Sequence, residues 1–451
     1  MKKFLSVLLS LGLACGLMAG CGDKAQTETQ TETNSQTQTQ TETKKPSTKK
    51  TEITWWAFPT FAKIDDTSGK YEEQLAAKFM ELHPDIKVTV EMIDFQNGPE
   101  KLTASIQGGT APDVLFDAPG RIMEYASSGE LVSLDDMFTD EFKADITSEG
   151  LLSSCGDGKN YYMYPISAAP FTMAINKTIL EKEGLLDMAP TTGDRTWTTD
   201  EFIALSKALQ AKGYKGAEIF CGGQGGDQGT RAFISNLTGA TIMDAERTKY
   251  TMDTKEGIAA VEMIKKGVDE GYMQANTAGV ANDALDHFDQ GNVAMTILWG
   301  PGLAKGRAEN LKQAGIEALS VSLPSPTGTP SLEYLINGFC VFNNKDEDKI
   351  AASKELIKFL CDDKTVGVEN VIATGCFPVR KSFGNVYGDD PEMAYYSGLS
   401  KYYGTYYNTV PGFASMRPYW WGSLQAVFTG DKTPEEAMKY FVKESNPTLA
   451  E

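Results

Sequence analysis

Ile53-Thr54-Trp55-Trp56, Ile86-Lys87-Val88-Thr89-Val90-Glu91-Met92 and Asp113-Val114-Leu115-Phe116 are three strand-like runs within one stretch of the chain. In the second, Ile86, Val88, Val90 and Met92 alternate with polar residues, as a half-buried strand requires. Between the first two runs Tyr71, Leu75, Phe79 and Leu82 recur at spacings of four and three, one face of a helix. Between the second and third, Leu102 to Ile106 reads as a short helix. Strand–helix–strand–helix–strand implies parallel strands joined by crossover helices, hence an α/β domain.

The same grammar continues outward. Thr198-x-x-Glu201 is a capping box ahead of Phe202, Leu205 and Leu209. Thr433-Pro434-Glu435-Glu436 supplies an N-cap, a proline at the first helical position and an acid three residues after the cap. Val293–Leu298 and Phe339–Phe342 read as strands, and Ile350–Leu360 as a helix. No repeat and no second low-complexity linker interrupts the body, so two α/β lobes must be joined by ordered crossings.

The chain has 451 residues, which suggests about two to three domains at roughly 150 residues each. With 42 basic and 61 acidic residues the formal charge is -19. Such a surface repels phosphate backbones and anionic headgroups, so no nucleic-acid partner is expected. Only two histidines are present, His83 and His287, which excludes a histidine-rich metal site. The glycine-rich Cys221–Arg231 stretch lacks the Lys-Ser/Thr of a phosphate-cradling loop. No cofactor is expected.

The N-terminal segment reads as processing signal and tether. Lys2 and Lys3 precede an apolar run, Phe4–Leu13, too short to span a bilayer. Met18-Ala19-Gly20-Cys21 resembles the bacterial lipobox, in which the cysteine is acylated after cleavage. The expected division is a signal peptide over 1–20, and an acylated Cys21 with a disordered tether over 21–50. The Gln/Thr/Glu repeat from Gln26 to Thr43 has no apolar residue to offset ordering entropy. Five cysteines fall in the body: Cys155, Cys221, Cys340, Cys361 and Cys376. They read mostly as buried thiols, with a Cys361–Cys376 bridge as the alternative.

Several segments in order resemble the family 1 extracellular solute-binding proteins of ABC importers. Gly109–Phe116 is similar to the family's G-x-x-P-D strand, and Tyr125–Val132 to the helix end after it. Tyr164-Pro165-Ile166 and Ala174–Lys177 resemble its crossing strand and Y-N-K segment. Thr196–Phe202, Ala294–Pro301 and Ser353–Leu360 resemble three further family stretches. The resemblance implies a two-lobed periplasmic-binding-protein-like α/β fold, with hinge strands and a central ligand cleft. One lobe is expected over 51–166 plus 338–385, the other over 171–335 plus 392–451. It also implies a lipid-anchored monomer at the extracellular face of the bacterial cytoplasmic membrane. That monomer would capture a neutral mono- or oligosaccharide and pass it to ABC permease and ATPase subunits.

Sugars present C–H faces and hydroxyls, so their sites need flat aromatics beside Asp, Asn, Gln or Arg. Trp55, Trp56 and Phe58 stand at the carboxyl end of the first strand, where ligand crevices of α/β sheets lie. Asp117 and Arg121 follow the third strand, at positions where the family contacts sugar; Asp94 ends the second. Glycines in Cys221–Arg231 let Gln224, Asp227, Gln228 and Arg231 converge on hydroxyls. Trp299 before Gly300-Pro301, and Trp420 in Arg417–Trp421, resemble the family's stacking tryptophans. The tyrosines from Tyr395 to Tyr407 read as packing, and Asp283–Asp289 as a solvated helix face.

Binding without chemistry is the reading, so the chain is not expected to be an enzyme. Two alternatives stand beside it. A secreted glycoside hydrolase would set two carboxyls such as Asp117 and Asp227 about 5–9.5 Å apart across the cleft. A non-transport cell-surface carbohydrate-binding protein would show no saturable small ligand.

Overall fold

The computed structural model describes residues 50–450. The signal segment, Cys21 and residues 21–49 of the tether lie outside the described residues. In chain order the strands are β1 (Thr51–Ala57), β2 (Ile86–Met92), β3 (Val114–Asp117), β4 (Tyr164–Pro170), β5 (Thr172–Asn176), β6 (Lys215–Phe220), β7 (Met273–Asn276), β8 (Val293–Trp299), β9 (Ala318–Val321), β10 (Tyr334–Val341) and β11 (Phe377–Pro378).

They form two sheets, ordered β11-β4-β10-β3-β1-β2 and β7-β6-β8-β5-β9. β1 pairs in parallel with both β2 and β3, through crossover helices at Lys70–Leu82 and Gly98–Gln107. The second helix is longer than Leu102–Ile106 because Gly98-Pro99 opens it, the proline fitting the first turn at no cost in hydrogen bonds. In the second sheet β6 is parallel to β7 and β8, while β5 runs antiparallel to β8 and β9. Each sheet has its own core. One gathers Ile53, Trp55, Phe79, Phe116 and Phe339. The other gathers Ile175, Trp197, Ile219, Phe233, Met295 and Trp420.

The lobes are stitched by short crossings. β4 ends at Pro170 in the first sheet and β5 starts at Thr172 in the second. The residue between, Phe171, donates its N–H to Glu333 O at 2.9 Å, just ahead of β10. β10 lies in the first sheet from Tyr334 onward, opposite Pro170. Two crossings therefore run side by side. The chain then returns past the first core, and at Tyr406 and Tyr407 successive residues enter the first and second cores.

Local signals are realised as hydrogen bonds. Thr198 Oγ1 accepts from Glu201 N at 3.2 Å while the Glu201 carboxylate accepts from Thr198 N at 2.7 Å. Thr433 and Glu436 repeat this box at 3.2 and 2.9 Å. All five body cysteines are free and buried, so Cys361 and Cys376 do not pair. The Asp283–Asp289 face is less solvated than expected: Asp289 is buried against Arg307, and His287 Nδ1 lies 2.8 Å from the buried Glu218 carboxylate.

Candidate functional site

The carboxyl ends of β1 and β3 build the first wall of a crevice between the lobes. Past β1, Phe58 stacks on Phe95 with centroids 5.0 Å apart and planes 10° from parallel. Phe95 is 46% exposed, so its ring is one of few large apolar groups presented to solvent. Asp117 ends β3 and accepts Arg121 Nε at 2.7 Å, with Nη2 on its other oxygen. Arg121 Cζ lies 4.5 Å over the Phe58 ring. Burial alone would pull the Arg121 guanidinium down; the Asp117 carboxylate, with Asp227 acting at longer range, leaves it raised. Arg121 is therefore a fixed cation with a planar stacking partner.

The second wall begins where β6 ends. The backbone between Cys221 and Gly226 packs closely, and a Cβ on Gly222 would fall 2.2 Å from Ala278 O. Gly226 adopts φ 77 at the N-cap of the helix Asp227–Thr238, a conformation that favours glycine. Asp227 follows, fully engaged. It accepts Arg231 Nη1 at 2.6 Å, Arg417 Nε at 2.9 Å and Arg417 Nη2 at 2.7 Å. Burial would push its carboxyl up, but the two guanidiniums outweigh that and hold it below its ordinary value. Behind it Arg231 Nε donates to Tyr407 Oη at 2.8 Å, and Tyr407 donates to Glu333 Oε1 at 2.7 Å. Glu333, beside Gln228, is pushed up by burial, which Arg231 offsets only in part.

The walls touch. Gln224 Nε2 donates to Gln96 O at 3.1 Å across the crevice. Gln224 is itself held by Arg417, whose Nη2 donates to its carbonyl at 2.6 Å. At the other contact, a Cβ on Gly120 would lie 2.8 Å from Asn408 O and 2.9 Å from the Phe413 ring. Only glycine permits that approach without displacement.

The expected residues therefore divide. The structure brings Phe58, Asp117 and Arg121 together in the first lobe, and Gln224, Asp227 and Arg231 together in the second through Arg417, with Gln228 beside Glu333. Asp94 is exposed and caps a turn, accepting from Gln96 N at 2.8 Å and Asn97 N at 2.7 Å. It thereby positions Gln96, and those amide bonds, Asn97 first, lower its pKa. The expected tryptophan plates are placed in the cores instead. Trp55, at 0% exposure, packs on Phe339 at 5.9 Å. Trp299, at 1%, meets Phe288 edge-on at 5.8 Å. Trp420, at 0%, donates Nε1 to Thr230 Oγ1 at 2.9 Å and abuts Phe441 at 5.3 Å. Arg417 and Trp420, three apart on one face of their helix, both meet the helix Asp227–Thr238, at Asp227 and at Thr230. Trp56 is buried beneath Lys101, whose Nζ sits 4.7 Å over the ring. Phe95, Gln96, Arg417, Glu333 and Tyr407 were not anticipated.

Chemically, this crevice offers fixed donors, acceptors and a phenyl plate. Both of its Asp carboxylates are consumed by arginine, and Asp227 is held below its ordinary value; the raised carboxyl nearby, Glu333, is buried behind them on Tyr407, so the pair of carboxyls facing each other across the cleft that glycoside hydrolysis needs is not formed by Asp117 and Asp227.

Residues 74–395 match the family described as bacterial extracellular solute-binding protein. A Brucella abortus (strain 2308) protein described as a binding protein is 25% identical over 389 residues, spanning 84% of this chain and 90% of that one. Among solved structures, the GacH receptor of Streptomyces glaucescens, solved unliganded and with acarbose, superposes with TM-score 0.74 at 17% identity, covering 89% of this chain and 99% of that one. An ABC substrate-binding protein of Listeria monocytogenes in complex with cycloalternan gives 0.72 at 20% identity, over 89% and 99%. At such identities these likenesses establish the two-lobed fold.

Proposed function

The chain belongs to the bacterial extracellular solute-binding proteins, and from that premise we propose that it captures a neutral saccharide by closure of its lobes and delivers it to an ABC permease. One observation carries the reading. Both crevice walls hold polar groups locked by buried ion pairs, beside the Phe58–Phe95 plate, and the walls meet at Gln224 and Gln96. A sugar would lay a C–H face on the phenyl plate and exchange hydroxyl hydrogen bonds with Arg121, Gln224 and Arg417. Asp117 and Asp227 hold those guanidiniums in place. Formal charge in the crevice is nearly balanced, which suits an uncharged guest. The acarbose and cycloalternan bound by two fold neighbours are themselves ring-built polyhydroxyl compounds.

A ligand held by both lobes shifts the population toward closure by its differential affinity for that state. Acylation of Cys21 and the tether that follows would keep the protein at the extracellular face of the cytoplasmic membrane, near the permease and its ATPase. A thermal-shift screen against mono- and oligosaccharides tests the reading. At a hundredfold excess over Kd the ligand stabilises by about 2.7 kcal/mol, a rise of about 3 °C for a chain of roughly 400 ordered residues. No shift with any saccharide refutes it.

A further inference from the structure

A further contact between the lobes lies against the β4–β5 crossing and joins two helix ends. Helix Pro301–Ala314 belongs to the second lobe, with Leu311 in its core, and helix Val366–Thr374 to the first, through Val371 and Ala373. The latter helix ends on Gly375, at φ 68. A Cβ on Gly375 would lie 2.8 Å from Gly302 Cα, and one on Gly302 would lie 3.1 Å from Thr374 O. Lys305 Nζ donates to Ile372 O at 2.8 Å.

The two ends are complementary in charge. The last carbonyls of a helix carry partial negative charge, and the first amides of a helix partial positive charge. Lys305 stands just past the first turn of its own helix, where the dipole offers a cation nothing. Its match is the carbonyl end of the other lobe's helix, where a cation is favoured. Ile372 O takes that cation in addition to the Gly375 N–H at 3.1 Å, as the two lone pairs of a carbonyl allow.

Each half of the junction is fixed to a different side of the crossing. Thr374 Oγ1 lies 3.1 Å from Ser167 Oγ on β4, and Asn337 Nδ2 on β10 donates to the same oxygen at 3.1 Å. All three residues are buried. On the other side Gly300-Pro301 continues β8, whose Trp299 lies opposite Thr172 of β5. Between Ser167 and Thr172 the chain passes from one lobe to the other. A change of angle there must move one helix end against the other. We propose that this junction is a closure latch, holding the lobes in the placement that joins Gln224 to Gln96 and so raising the closed fraction of the free chain, and with it the affinity for every guest by one common factor. The factor is common because an apparent Kd is the intrinsic Kd divided by the competent fraction. The affinity arm rests on the saccharide reading above, whereas the closed fraction of the free chain does not.

Small-angle scattering of the free full chain, beside calorimetry with the saccharides it binds, tests the latch in two variants. Lys305→Met removes the cation and keeps the stem. Gly302→Leu wedges the junction while replacing glycine by a stronger helix former, so the helix itself is not weakened. The expected result is a larger free-chain radius of gyration in both, with Kd raised about threefold in Lys305→Met and about tenfold in Gly302→Leu, by the same factor for every saccharide. A free-chain radius or a Kd equal to wild type in either variant overturns the latch. Factors that differ from one saccharide to another also overturn it, and make Lys305 a contact of the guest instead. If no saccharide binds the wild type, the saccharide reading fails, and the free-chain radius alone decides the latch.

Discussion

Replacing Asp227 by Asn should destabilise the second lobe more than removing either arginine that it holds. Asp227 accepts three guanidinium hydrogen bonds, at 2.6, 2.9 and 2.7 Å, while almost fully buried. Asparagine keeps the shape but removes the counter-charge, leaving Arg231 and Arg417 buried side by side with Glu333 pushed toward its neutral form. Breaking a buried pair in this way costs about 3–5 kcal/mol. Arg417→Ala leaves the Asp227–Arg231 pair matched and forfeits mainly the bonds to Asp227 and Gln224, about 2 kcal/mol. Urea unfolding at pH 7 reads the difference. With a slope of roughly 3 kcal/mol/M, Asp227→Asn lowers the midpoint by about 1 M or more, and Arg417→Ala by clearly less. The pH dependence has a definite sign. Because the folded Asp227 pKa is depressed, its contribution is complete above the unfolded value of about 3.9 and is lost as pH falls through the folded value. Wild type and Asp227→Asn should therefore converge below pH about 3.9. An Asp227→Asn midpoint equal to wild type at pH 7, or a larger loss for Arg417→Ala, would refute the paired-charge reasoning.

Other expectations concern closure, the cores and a buried acid. Gly120→Ala places a methyl 2.8 Å from Asn408 O, so the closed form should weaken and saccharide Kd rise about tenfold, equivalent to 1.4 kcal/mol, as calorimetry would show. Trp420→Phe should lower stability by about 1–2 kcal/mol through the lost Thr230 bond and a packing defect, with saccharide Kd changed less than threefold; a large affinity loss at unchanged stability would restore Trp420 as a stacking plate. Glu72 is buried with neither carboxylate oxygen hydrogen-bonded, and burial pushes its pKa up to about 7. Its charging opposes folding as pH rises from the unfolded value near 4.5 to about 7. Glu72→Gln should thus gain about 1–3 kcal/mol over wild type at pH 8 and nothing at pH 4, measured by denaturant titration.

The strand–helix order from β1 to β3 was legible because apolar spacing alone distinguishes period two from period 3.6. Capping boxes were legible because they span four residues. Asp117 and Arg121 were legible through the resemblance, and Asp227 and Arg231 through the glycines before them, though not as the ion pairs that each forms four residues apart. Arg417 was not, since its partner Asp227 is 190 residues away and nothing local marks the pairing. The indoles failed for a different reason. A tryptophan at a strand end can face the crevice or the core, and a one-residue turn of the strand or helix decides which. For Trp55 and Trp420 the lobes needed the volume inside. Phe95 carried a weak signal, a lone aromatic in a polar turn, and the Asp94 cap makes that turn rigid.

Small-angle scattering on the purified chain, with and without the saccharide that stabilises it most, tests lobe closure most directly. A fall in radius of gyration as ligand saturates, with the midpoint of that fall moved to about tenfold higher concentration in Gly120→Ala, is the predicted result. A radius that stays constant while calorimetry reports full occupancy would contradict it.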